Sequence, residues 1–289
     1  MKFLVIDSIA RSGTTLLSAV LRSLQGCETL DASFIEPFAC KNYQSLLWPF
    51  EYGEMPLISP KAETNLSIDK LKQKSKHNLF SERTNGGKSK NEWIEILDHP
   101  HESINDLYTS IANSYNSKIL GFRWNQQIFY SRIWLERSNQ NFWITIIRNP
   151  FDRIYSNIRT HEWPIERALE ITKNYDESYN VLKNHYKNFI IIKYEDLILD
   201  TDSVVKRLTE KLSLPYKKIT PQVLIGANYQ NYRSQGHRVS SSNSIRIAGK
   251  ECKEFYSDSI NQGKKHFESK DICRIESVIK DLSFFKEYL

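Results

Sequence analysis

The chain has 289 residues, 40% of them apolar, with 15 Tyr, 14 Phe and 6 Trp. This composition supplies a sizeable core and excludes a disordered protein. No apolar run reaches the roughly 18–20 residues of a membrane-spanning helix. A formal net charge of +6, from 40 Lys and Arg against 34 Asp and Glu, suits anionic ligands of any kind, nucleic acid included.

In chain order, Phe3-Leu4-Val5-Ile6 reads as a short strand over 3–7. It runs into Ser8-Ile9-Ala10-Arg11-Ser12-Gly13-Thr14-Thr15-Leu16-Leu17, and amphipathic spacing predicts a helix over 14–25. Strand, tight glycine turn and helix aim backbone N–H groups and a helix dipole at an anion. Arg11 adds a forked cation, and Thr14 and Thr15 add hydroxyls. The segment departs from the triphosphate loop G-x-x-x-x-G-K-[ST], because only one glycine is present and no lysine follows it. Taken alone, Arg11 to Thr15 reads equally well as a plain strand-to-helix turn.

A second strand is expected over 28–31, followed by Phe34-Ile35-Glu36-Pro37-Phe38 and a helix over 37–48. From 52 to 91 the rhythm breaks. Pro56, Pro60, Gly86 and Gly87 flank Lys70, Lys72, Lys74 and Lys76, whose alternation reads as a solvated face or an anionic-acceptor patch. Further on come a helix over 102–115, a strand over 118–123 ending in Arg123, and a helix over 126–138. Phe142-Trp143-Ile144-Thr145-Ile146-Ile147 is β-branched and aromatic and reads as a buried strand. It leads into Arg148-Asn149-Pro150, where asparagine before proline suits an N-cap and first helical turn. The following helix, over 150–160, places Ser156 about two turns along. This is a second strand–helix junction suited to an anion.

A helix over 164–187, a strand over 189–193 and a helix over 201–212 complete the alternation. The region after Pro215 is irregular until helical spacing returns from Ile272 to Phe285. Alternating strands and helices predict a parallel sheet covered on both faces. Cys27, Cys40, Cys252 and Cys273 are scattered, without zinc spacing, and read as reduced thiols, with a Cys27–Cys40 disulfide left open. The early apolar stretch is interrupted by Asp7 and Arg11, so no secretory signal is expected.

Together, Arg11-Ser12-Gly13-Thr14-Thr15 and Arg148 with Ser156 resemble the sulfotransferase family that uses 3′-phosphoadenosine 5′-phosphosulfate. In that family the first element grips the 5′-phosphosulfate and the second the 3′-phosphate. Phe189 to Leu197, with its Tyr194-Glu195-Asp196-Leu197, Gly121-Phe122-Arg123, and Ser241 to Arg246 resemble further family segments. The last departs from the family pattern at Ser242 and Ser244, which stand where glycine and proline are usual. The string R-S-G-T-T-L-L is closer to the carbohydrate and tyrosylprotein branches than to the small-molecule cytosolic branch.

The resemblance implies a P-loop-containing nucleoside triphosphate hydrolase-like fold, with an open parallel sheet of about five strands flanked by helices. It implies one domain over 1–289, with a variable substrate-side insertion near 52–91. The implied activity is nucleotide-binding and transferase, moving a sulfuryl group to an acceptor hydroxyl on a glycan, a peptide tyrosine or a small molecule. Arg11, Ser12, Gly13, Thr14, Thr15, Arg148, Ser156 and Arg246 would bind the donor, leaving adenosine 3′,5′-bisphosphate as product, with no metal. Arg11 and Glu36 would be catalytic. Golgi relatives carry a membrane anchor for which the first strand leaves no room, so a cytoplasmic protein is expected.

Several readings stay open. Glu36 reads as a general base or as a helix-initiating acid, with His161 in reserve. Arg123 reads as a ligand for sulfonate or acceptor, or as a sheet-edge salt bridge, while Tyr194-Glu195-Asp196 reads as architectural. A P-loop small-molecule kinase, a non-catalytic nucleic-acid-binding protein and a binding-only relative are the competing classes.

Overall fold

The computed structural model describes residues 2–9, 11–31, 89–98, 104–115, 117–125, 142–221, 255, 257, 260–286 and 288. Glu36, Arg246, Cys40, Cys252, the helices expected over 37–48 and 126–138, and nearly all of 52–91 lie outside the described residues.

Among the described residues the strands are β1 (Lys2–Ser8), β2 (Cys27–Asp31), β3 (Ile119–Asn125), β4 (Phe142–Ile147) and β5 (Phe189–Lys193). They coincide with the expected strands except at their ends. All pairings are parallel, in the order β2-β3-β1-β4-β5. The helices are α1 (Thr14–Arg22), α2 (Lys90–Asp98), α3 (Ile104–Ser114), α4 (Pro150–His161), α5 (Ile165–His185), α6 (Tyr194–Leu199), α7 (Thr201–Leu212) and α8 (Ser269–Ile279). Single 3₁₀ turns occupy Gly263–His266 and Ser283–Phe285. The periodicity from Ile272 to Phe285 is therefore broken into α8 and a separate turn. Both contribute buried side chains: Ile275 and Ile279 from the helix, Phe284 and Phe285 from the turn.

Period-2 alternation sends strand side chains to two buried layers. Leu4, Ile6, Ile144, Ile146, Ile190 and Ile192 pack under α1, α6 and α7. Val5, Leu120, Trp143 and Ile147 pack under α2, α3, α4, α5 and α8. All six residues of β4 are buried, which explains its unbroken apolar run.

Helix α2 begins at the end of the irregular interval 52–91 and runs through a stretch for which no element is expected. It is started by a reciprocal cap: the Ser89 amide donates to Glu92 Oε2 at 2.7 Å and the Glu92 amide to Ser89 Oγ at 3.3 Å. Its Trp93 is then fully buried. Cys27 is a buried free thiol, pushed up by burial, and Cys273 is an exposed one. No helix among the described residues is long and apolar enough to cross a membrane.

The sheet order has one consequence for function. From β1 the chain turns through α1 toward β2 on one side. From β4 it turns through α4 and α5 toward β5 on the other. The adjacent carboxyl ends of β1 and β4 thus form the switch point where open α/β sheets leave a crevice.

Asp7, beside Thr145 in the sheet register, is fully buried on the α5 side. Tyr175 donates to its Oδ2 at 3.4 Å and lies 3.0 Å from Thr145 Oγ1. Burial pushes the Asp7 carboxyl well above its ordinary value of 3.8, and the Ser8 amide and Tyr175 pull it back only in part. A carboxyl raised in the fold contributes stability below the unfolded pKa and loses it as pH rises through the folded one. The Asp7→Asn protein should therefore be more stable than wild type at neutral pH, with the difference closing as pH falls to 3.8. Urea midpoints across that range check it; a constant offset would mean that Asp7 does not titrate in this window.

Candidate functional site

Two loops meet at the switch point. After β1, Arg11 (φ 71°) and Gly13 (φ 106°) adopt left-handed backbone, and the Ser12 amide donates to Ile9 O at 3.3 Å. Such turns cup backbone N–H groups into an anion-binding concavity. Gly13 is the N-cap of α1, and no side chain caps that helix. The helix therefore presents backbone donors and its positive dipole end toward the loop.

The second junction is built differently. Asn149 Oδ1 accepts from the amides of Phe151 and Asp152 at 3.0 and 3.4 Å, with Pro150 at the first helical position. With its amides occupied by its own cap, the start of α4 contributes side chains instead.

Those side chains join the two loops. Arg11 Nε donates to Ser156 Oγ at 3.1 Å, and Arg148 Nη1 donates to Arg11 O at 3.3 Å. Arg123, 2% exposed, donates to Thr15 Oγ1 at 2.6 Å. Because β3 lies between β2 and β1, Arg123 is on an interior strand, beside Asp31 of β2 in the register. Ser12, Thr14 and Ser156 are buried. The structure thus brings together Arg11, Ser12, Gly13, Thr14, Thr15, Arg123, Arg148 and Ser156. For His161 it gives only a place, the last residue of α4.

Tyr194 is the partner the sequence reading missed. Its ring lies 4.6 Å beneath the Arg148 guanidinium, a cation–π arrangement. The same ring crowds Gly13, where a Cβ would come closer than 3.0 Å to it. The signal was present only as a pairing. Ile147 sits beside Lys193 in the β4–β5 register, so the next residues, Arg148 and Tyr194, emerge side by side. Burial pushes the Tyr194 phenol up, while Arg148 and Arg11 act against that shift.

Glu195 and Asp152, close in sequence to Tyr194 and Arg148, hold backbone amides. Glu195 Oε1 accepts from the Asn149 amide at 2.9 Å. Asp152 accepts from the amides of Asn261 and Gly263 at 2.7 and 2.5 Å. Arg153 is fully buried and drawn down to about 9, by burial first and the charge of Arg148 second. Clustered arginines, hydroxyls and a helix N-terminus are groups chemically suited to holding an anion.

The sequence matches the sulfotransferase family over residues 4–218. The chain belongs to the sulfotransferase family, and its fold is the P-loop-like fold of that family. Similar solved structures include a sulfotransferase domain from the curacin biosynthetic pathway, at 16% identity, covering 96% of this chain and 97% of that one with TM-score 0.56. A second is the sulfotransferase domain of the olefin synthase of Synechococcus PCC 7002, at 16% identity, covering 97% and 94% with TM-score 0.59. No curated protein matches the sequence.

Because Gly13 combines positive φ with contact against Tyr194, Gly13→Ala should lower the unfolding free energy by about 1–3 kcal/mol. The urea midpoint reads this directly. An unchanged midpoint would mean that the loop and the Tyr194 ring do not pack as closely as described.

Proposed function

We propose that the chain is a sulfotransferase whose donor is 3′-phosphoadenosine 5′-phosphosulfate and whose acceptor carries a hydroxyl. The observation that carries this reading is the Arg11–Ser156 hydrogen bond at 3.1 Å, which makes one cradle of two anion-suited loops 145 residues apart. A donor with phosphate-type groups at both ends of one nucleoside suits such a pair. Ser12 Oγ and Arg148 Nε are buried with no hydrogen-bond partner among the described residues, and a bound anion would satisfy both.

In this reading Arg11, Ser12, Gly13, Thr14 and Thr15 hold the 5′-phosphosulfate. Arg148 and Ser156 hold the 3′-phosphate, and Arg246 adds a further contact. The acceptor oxygen attacks sulfur. The bond from sulfur to the 5′-phosphate oxygen breaks with its electron pair passing to that oxygen, and Glu36 takes the acceptor proton. Arg11 and the loop amides meet the charge that appears on the leaving phosphate. No metal enters the scheme, and one domain spans 1–289 with its acceptor side near 52–91. The R-S-G-T-T-L-L string favours a glycan or peptide-tyrosine acceptor, with cytoplasmic operation.

Adenosine 3′,5′-bisphosphate should bind with clear preference over AMP and ATP in calorimetric titration. Arg148→Ala should weaken it by about 1.5–3 kcal/mol, the scale for losing a charged hydrogen-bond partner. Equal affinity for AMP would mean that no 3′-phosphate site exists.

The chemical step is tested with labelled donor and an acceptor panel. Arg11→Ala should reduce turnover more than donor binding, since its contact strengthens as the bond breaks. Glu36→Gln should bind the bisphosphate normally and lose about 10²–10⁴-fold in rate. Turnover abolished by EDTA and restored by magnesium would overturn the scheme in favour of a kinase.

A further inference from the structure

Arg148 is the side chain through which the second loop reaches the site, yet little in its own strand fixes it. It follows the last residue of β4 and precedes the Asn149 cap, so its backbone belongs to neither element. The residues on either side of it are held by one hydrogen-bonded pair. Glu195 Oε1 accepts from the Asn149 amide at 2.9 Å. The carboxylate's other oxygen, Oε2, accepts a short hydrogen bond from the Tyr288 hydroxyl. That same hydroxyl lies 3.3 Å from Ile147 O, its second acceptor. Phenol and carboxylate together span the backbone from 147 to 149 and bracket Arg148 between them.

The ring that carries the hydroxyl is itself anchored. Tyr288 packs tilted on Phe285 at 6.4 Å between centroids, and Lys193 Nζ lies 5.3 Å from its ring centroid. Phe285 is fully buried in the layer that also holds Ile147. Burial, reinforced by the Glu195 charge, pushes the Tyr288 phenol up, so the hydroxyl keeps its proton and remains a donor. Tyr288 lies beyond residues 4–218, the stretch matched by the family. The brace is therefore supplied by a part of this chain that the family match does not reach.

We propose that Tyr288 is a positioning residue for anion recognition: through Glu195 it fixes the 147–149 backbone and so the place at which Arg148 meets the 3′-phosphate. The inference rests on the reading of Arg148 as the ligand of that phosphate. It adds a residue that never touches the nucleotide but sets the selectivity for its 3′ end. A bond of this kind strengthens binding by holding the donor where it is needed, which lowers the ordering cost on association.

The test is calorimetric titration of the full chain with adenosine 3′,5′-bisphosphate and, in parallel, with adenosine 5′-phosphate. Tyr288→Phe keeps the ring and removes only the hydroxyl. Bisphosphate affinity should fall roughly threefold to tenfold, the scale of one hydrogen bond, while affinity for the 5′-phosphate stays as in wild type. In an Arg148→Ala background the same substitution should change neither affinity. Glu195→Gln, which keeps an acceptor for the Asn149 amide and weakens the phenol bond, should move selectivity in the same direction. Equal losses for both nucleotides would reduce Tyr288 to a general structural role and overturn the inference, as would no loss for either. A wild-type protein that does not distinguish the two nucleotides would instead overturn the reading of Arg148, and the inference with it.

Discussion

The parallel pairing of β1 with β4, Leu4 beside Phe142 through Asp7 beside Thr145, is the constraint on which the candidate site depends. Parallel neighbours end on the same side, so both strands deliver their loops to one edge of the sheet. Their connections then depart in opposite directions and on opposite faces. α1 joins the layer of Leu4 and Ile6, while α4 joins that of Val5 and Ile147. Loops separated by more than a hundred residues close on each other across the gap between them.

Concentrating cations there carries an electrostatic cost. Arg123 and Arg153 are buried and Arg148 is partly so. A direct ion pair with a neighbouring carboxylate would neutralise such groups but also compete with an incoming anion. Asp152 and Glu195 are close in sequence to the cluster yet turn their oxygens to amides and a phenol. Arg148 is supported instead by an aromatic face and a carbonyl, which stabilise the guanidinium and leave its charge in place. The carboxylates tie the late segment to earlier helices. Asp152 ties Gly263 against α4, and Asp176 ties Phe284 against α5 through its backbone amide.

The late part of the chain is thereby more than a cover for one face of the sheet. Asn261 and Gly263 dock on α4, Ser283 bonds the Asp176 carboxylate at 3.1 Å, and Tyr288 reaches the Glu195 carboxylate of α6. Each contact is a side-chain acceptor on an early element meeting a donor on a late one. The stacking of His266 on Tyr155, at 3.9 Å between ring centroids, adds an aromatic contact beside Ser156. The helix bearing Ser156 is thus also held by the late segment.

The sequence by itself determined the strands and most helices, because β-branched runs and 3.6-residue spacing are local properties that burial then rewards. It also determined both junctions: Arg11 to Thr15 by glycine and hydroxyls before a helix, Arg148 to Ser156 by the Asn149-Pro150 start. It did not reveal α2, whose Ser89–Glu92 cap is short and sits amid turn-forming residues. Nor did it reveal the roles of Tyr194, Asp152 and Tyr288. Those depend on which strands are neighbours and where a distant segment returns. Strand order is a long-range property, set by how two faces of a sheet bury their helices together, and no local spacing encodes it. Only the tertiary structure decided that Arg11 meets Ser156, that Arg148 rests on Tyr194, and that Asp7 is buried against Tyr175 of α5.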